Sequence, residues 1–176
     1  MRAMKKIVTA IVAAISLSSA AHAVLPVGAK APEFRTQGAQ GGRVFDVQLS
    51  KLLKRGPVVL YFFPAAFTSG CTIEAREFAQ ASDEFAKNGA TILGVAADPI
   101  DKLSKFSVEE CRSKFPVAVA TPQMIAAYNV ALPTTTRSNR TSFVIGRNGR
   151  IAYVYSAMRP EGHVSGTLGA VRQLKR

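Results

Sequence analysis

Two apolar runs, VVLYFF at 58–63 and TILGVAA at 91–97, each lead into a segment of helical period. That alternation closes off most folds. A continuous β-branched and aromatic run marks a strand covered on both faces, and such strands need helices packed above and below them. From Ser69 the period changes, with Ile73, Phe78, Ala81 and Phe85 recurring at helical spacing until Asn88-Gly89 ends the helix. Asp98-Pro99 opens a second helix, proline near its start. One face of it carries Ile100, Leu103, Ser104, Ser107 and Cys111, with Lys102, Lys105 and Glu109 opposite.

The remaining segments fill in the architecture. FPVAVA (115–120) reads as a strand and QMIAAY (123–128) as a short helix. RTSFVIGRNGRIAYVYSA (140–157) is two apolar runs joined at Arg147-Asn148-Gly149, and Asn-Gly is a strong hairpin signal. Residues 161–176 form a closing helix weakened by glycines. Upstream, 27–40 is rich in Gly, Pro and Ala, Arg43 to Val47 alternates as a short strand or hairpin, and 49–53 makes a helical turn stopped by Gly56-Pro57. The expected fold is α/β: a central mixed β-sheet flanked by helices, with an N-terminal hairpin, in an order that suits a thioredoxin-like fold.

Residues 1–23 have another character. Arg2, Lys5 and Lys6 precede an apolar stretch from Ile7 to Leu17, and Ala21-His22-Ala23 supplies small residues where a signal peptidase reads. The stretch is short for a membrane span. The expectation is a signal peptide cleaved after Ala23, a single domain over 24–176, and a periplasmic or secreted protein. The formal charge of +12 comes from 23 basic against 11 acidic residues. Three of the basic residues fall in the leader, and the rest are scattered singly, with no block or aromatic-interleaved stripe of the nucleic-acid-binding kind.

The chain has two cysteines, Cys71 and Cys111. Cys71 falls in the first turn of the helix after VVLYFF, where unpaired N–H groups and the helix dipole favour an anion. A free thiol titrates at about 8.5, and helix N-termini and nearby cations lower that value. Thr68, three residues earlier, carries a hydroxyl able to donate to a thiolate or a bound oxygen. Pro64 ends the strand and has no N–H of its own. By position alone Cys71 is equally an inert core thiol.

The surrounding motifs are more specific. PAAFTSGC (64–71) has the form Pro-x-x-x-Thr-x-x-Cys, and GCTIEAREF (70–78) resembles the GCTxEAxxF stretch of peroxiredoxins of the peroxiredoxin Q, or bacterioferritin comigratory protein, type. LGVAADPIDKLSKF (93–106) and RTSFVIGRNGRI (140–151) are similar to later segments of the same AhpC/TSA family, so the resemblance covers nearly the whole mature chain. It implies a thiol peroxidase reducing hydrogen peroxide and organic hydroperoxides. Cys71 would be the peroxidatic cysteine, Thr68 and the Cys71 N–H would hold the peroxide oxygens, and Pro64 would shield the pocket. Arg140 would be the fixed cation, oriented by Glu74, with Arg137 as the substitute if the register slips.

The resemblance also marks departures. Where many members place a resolving cysteine five residues after the first, this chain has Arg76, which leaves Cys111 as the candidate for a Cys71–Cys111 disulfide. Against that role, a bland core cysteine beside Ile100 and Val108 fits as well. Ser69 replaces a proline, Ala120-Thr121 replaces Ser-Asp, and 121–139 is shorter than usual. The implied partners are a hydroperoxide and a thioredoxin-like or other dithiol reductant. Nucleic acid, a membrane after leader removal, a metal and a cofactor are not expected, and the protein is expected to be a monomer or weak dimer. Competing readings are a disulfide reductase, which lacks Cys-x-x-Cys here, and an exported binding domain with a static Cys71–Cys111 staple. A Cys-His hydrolase is disfavoured because nothing near His163 in sequence resembles a triad.

Overall fold

A computed structural model describes residues 23–175, so all of the expected signal peptide but Ala23 lies outside the described residues. Seven strands form one mixed sheet in the order β2-β1-β5-β4-β3-β6-β7. In chain order these are β1 (Arg35–Gln40), β2 (Arg43–Gln48), β3 (Val58–Phe62), β4 (Thr91–Ala96), β5 (Val117–Val119), β6 (Thr141–Ile145) and β7 (Ile151–Ser156). The helices are α1 (Leu49–Leu53), α2 (Ser69–Lys87), α3 (Ile100–Glu109), α4 (Pro122–Ala127) and α5 (His163–Leu174).

The run at 58–63 is apolar throughout because β3 is the central strand with both faces covered. Val58, Leu60 and Phe62 point into one core layer, and Val59, Tyr61 and Phe63 into the other. β3 pairs in parallel with β4 (Val58 opposite Thr91) and antiparallel with β6 (Val58 opposite Ile145). The first layer is closed by Phe34, Leu49, Met124 and Tyr128, the second by residues of α2, α3 and α5. In that second layer Tyr61 stacks on Phe78 at 4.4 Å and Phe63 on Phe106 at 5.4 Å. Each such ring, fully buried, stabilises the fold by about 1.5–3 kcal/mol. Among the described residues no helix is long and apolar enough to cross a membrane.

Several local expectations are corrected. The buried stripe of α2 is Cys71, Glu74, Ala75, Phe78, Ala79, Ser82 and Phe85, so Ile73 faces outward at 48 % exposure and a carboxylate takes an interior position. In β2 only Val47 is buried, and Val44 and Phe45 are exposed on an edge strand. β1 forms in RTQGAQ, which has little strand propensity, because it is hydrogen-bonded to both β2 and β5. Cys111 lies beyond the end of α3, in a turn where Arg112 and Ser113 both adopt positive φ. It is fully buried, while Val108 faces outward at 46 % exposure and does not share its environment.

Candidate active site

The loop between β3 and α2 sets the geometry. Pro64 follows the strand, Phe67 sits at φ +68°, and Thr68 returns to extended backbone immediately before the helix. A non-glycine residue in the left-handed region is strained, and neighbouring contacts hold it there. The Ala66 N–H donates to the buried Asp98 carboxylate at 2.8 Å, and Lys102 Nζ donates to the other oxygen of Asp98 at the same distance. Arg137 donates to the Pro64 carbonyl at 3.0 Å. Thr68 Oγ1 donates to the Ala65 carbonyl at 2.9 Å, so its hydrogen closes the loop. For that hydroxyl to donate to a bound oxygen, as expected above, it must exchange partners.

Cys71 lies in the first turn of α2, 1 % exposed. Arg140, immediately before β6, reaches it across the sheet: Nη2 donates to Cys71 Sγ at 3.3 Å. The same guanidinium donates through Nη1 to Glu74 Oε2 and through Nε to the Met158 carbonyl at 2.9 Å. Three different atoms of one rigid fork are thereby fixed, a task the ammonium of lysine cannot perform. Arg140, not Arg137, is the arginine at the thiol. The close approach depends on Gly70, where an added Cβ would lie 3.1 Å from Arg140 Nη2.

The electrostatics follow from burial. Glu74 is fully buried, and burial pushes its carboxyl up to about 8 against the pull of Arg140. Burial weighs against the Arg140 charge, but Glu74 and Cys71 outweigh it and hold the guanidinium above its ordinary value. Both cysteines are free. Burial, with a smaller contribution from Glu110, pushes the Cys111 thiol far up. Cys111 and Cys71 belong to the same core layer, with the Tyr61 ring among them.

One residue of this cluster was not anticipated. His163, the first residue of α5, is fully buried, with Nδ1 3.5 Å from Glu74 Oε1 and 2.8 Å from Ser142 Oγ. In sequence it is a single histidine after a turn, and only the packing of α5 onto α2 and β6 brings it to the site.

The AhpC/TSA family model matches residues 27–154. The chain is 32 % identical over 152 residues to peroxiredoxin Q, chloroplastic, of Oryza sativa subsp. japonica, covering 84 % of this chain and 67 % of that protein. It is 29 % identical over 157 residues to peroxiredoxin Bcp of Bacillus subtilis, covering 85 % and 97 %. The crystal structure of peroxidoxin BcpB from Mycobacterium tuberculosis superposes with a TM-score of 0.74 at 32 % identity, over 84 % of this chain and 96 % of that one. With a thiol at a helix start, an arginine fixed against it and a thioredoxin-like mixed sheet beneath them, the chain belongs to the AhpC/TSA family of peroxiredoxins.

Proposed function

We propose that the protein is a thiol peroxidase with Cys71 as the attacking thiol, a reading carried by the 3.3 Å contact between Arg140 Nη2 and Cys71 Sγ at the start of α2. The Cys71 thiolate attacks the terminal oxygen of a hydroperoxide, ROOH. The S–O bond forms as the O–O bond breaks, leaving Cys71 as a sulfenic acid and expelling RO⁻, which takes a proton and departs as water or an alcohol. Charge moves from sulfur to the leaving oxygen, and a fixed guanidinium at the sulfur stabilises both ends of that movement. Glu74 holds Arg140, Thr68 and the Cys71 N–H receive the peroxide oxygens, and Pro64 covers the pocket.

For the second half of the cycle, the Cys111 thiol attacks the sulfenic sulfur, forms a Cys71–Cys111 disulfide and releases water. A thioredoxin-like dithiol then reduces the disulfide and is itself oxidised. Support for this step is the shared core layer and the lack of a third cysteine. It requires the first turn of α2 to unwind, because disulfide geometry needs Cα atoms within about 7 Å. The leader motif at 1–23 supports export, with the single domain at 24–176 acting in the periplasm or outside the cell.

The test is stopped-flow mixing of the purified protein with hydrogen peroxide and an alkyl hydroperoxide, followed by turnover with thioredoxin-type and small dithiol donors. Rapid oxidation that is absent in Cys71→Ser is expected. Reaction no faster than a free thiol, with no consumption under any donor, overturns the reading.

A further inference from the structure

We infer that His163 is a positioning residue: one proton held between its Nδ1 and Glu74 Oε1 keeps Glu74, and through it Arg140, aligned on Cys71. The consequence for catalysis rests on the peroxidase reading; the geometry stands without it. Among the described residues, Glu74 Oε1 is one of two buried side-chain oxygens or nitrogens with no hydrogen-bond partner. The other oxygen of the same carboxyl is fully engaged with Arg140.

The hydrogen positions on His163 follow from its partners. Nε2 lies 2.9 Å from the Ala157 carbonyl, which only accepts, so Nε2 carries a hydrogen. In a neutral ring Nδ1 is therefore bare and accepts from Ser142 Oγ at 2.8 Å. A bare Nδ1 and an ionised Glu74 Oε1 would then face one another as two acceptors at 3.5 Å, buried. One proton resolves the conflict: on Oε1 it donates to the single Nδ1 lone pair while Ser142 turns its hydroxyl hydrogen aside, and on Nδ1 it is shared between Oε1 and Ser142 Oγ. In both forms the Glu74–His163 pair is neutral as a whole. Arg140 then carries the one positive charge opposite one thiolate. Without that proton two buried anions compete for a single guanidinium, a costly arrangement where solvent screening is weak.

The surroundings agree. Burial, with Arg140 adding to it, lowers the His163 imidazole from its ordinary value, while burial raises Glu74 to about 8, and both directions favour the proton on the carboxyl side. The groups facing the pair are Arg140 just before β6, Ser142 of β6, Tyr61 of β3, Cys71 and the more distant Glu77 of α2, and Tyr155 of β7, whose ring meets the imidazole at 4.7 Å. Arg159 reaches His163 only through its backbone.

The test compares wild type with His163→Leu, His163→Gln and Ser142→Ala. Readouts are the Cys71 thiolate fraction from ultraviolet absorbance and the rate of peroxide oxidation, both followed through pH. His163→Leu should lower the thiolate fraction and slow oxidation at neutral pH by about tenfold, the worth of one buried hydrogen bond. His163→Gln, which keeps a polar partner but cannot titrate, should recover most of the neutral-pH rate while the alkaline limb of the profile moves. Ser142→Ala should move that limb without unfolding the core. Nitrogen NMR of the wild-type ring should show Nδ1 responding as Glu74 loses its proton. Wild-type profiles in all three variants overturn the inference, as does an Nδ1 signal indifferent to pH across that limb. A protein whose thiolate fraction responds as described but which consumes no peroxide upholds it and sinks the peroxidase reading instead.

Discussion

Arg76 Nε donates to Glu110 Oε2 across 2.6 Å, tying the helix that carries Cys71 in its first turn to the residue before Cys111. The pair links the two segments that the proposed Cys71–Cys111 disulfide would draw together. Arg76 is half exposed, so the bridge contributes at most about 1 kcal/mol to global stability. Its effect belongs to local opening of the helix start. Arg76→Ala should therefore leave the unfolding midpoint nearly unchanged and accelerate disulfide formation after one equivalent of peroxide. Mass spectrometry of alkylated samples over time measures this, with Cys111→Ser as the control that forms no intramolecular disulfide. An unchanged rate removes the restraining role.

Replacing Arg140 by lysine keeps a positive charge but breaks the fork that joins Cys71, Glu74 and the Met158 carbonyl. The second-order rate of peroxide oxidation should fall by about 10²–10³-fold, the cost of removing one preorganised donor from a reacting centre. Arg137→Lys should reduce the rate far less, since Arg137 touches the Pro64 carbonyl and not the thiol. Equal losses in the two variants would contradict the assignment.

Glu74 makes stability depend on pH in an unusual direction. Its carboxyl is raised from 4.5 to about 8 in the folded protein, so between those values the folded state binds more protons than the unfolded state and stability falls as pH rises. His163 is lowered from 6.5, which adds the opposite slope just below that value. Above it the Glu74 slope remains, joined toward pH 9 by one of the same sign from the buried Cys111 thiol. The denaturation midpoint should drop from neutral to mildly alkaline pH in wild type and stay flatter in Glu74→Gln. A midpoint that rises over that interval in wild type would contradict the burial argument.

The Tyr61 hydroxyl is buried without a hydrogen-bond partner, and burial raises its pKa well above the ordinary value. Its ring nevertheless packs directly on Phe78. Tyr61→Phe keeps the ring and removes the unsatisfied oxygen, so chemical denaturation should show a gain of about 1–2 kcal/mol. A loss of stability would mean that the hydroxyl has a favourable contact.

The architecture was legible wherever burial was continuous. VVLYFF and the ILGVA of TILGVAA carry no charged residue because β3 and β4 are covered on both faces, and the Asn-Gly turn between β6 and β7 is encoded locally. β1 was not legible, since its pairing partners β2 and β5 come later in the chain and its own residues are poor strand formers. In α2 the expected face was misplaced at Ile73 because Glu74 occupies a core position that only an arginine from β6's approach makes tolerable. Cys71, Thr68, Arg140 and Glu74 were placed together by motif resemblance; in the structure Arg140 contacts both Cys71 and Glu74. Nothing in the local sequence of His163 reports its neighbours, which are brought in by helix packing. The burial of Cys111 was likewise concealed, because the turn after α3 folds inward where helical spacing had put it on a helix face.

Gly70 has a genetic consequence. A side chain at 70 would press on the Arg140 guanidinium, so positions 70 and 140 form one unit in mutational space although they lie far apart in sequence. Gly70→Ala should slow peroxide oxidation in the wild-type background and add almost nothing once Arg140 is alanine, an epistasis that a double-mutant cycle reads directly. Variants at either position are therefore interpretable only with the other in view, and a lineage that lost the arginine would be free to lose the glycine.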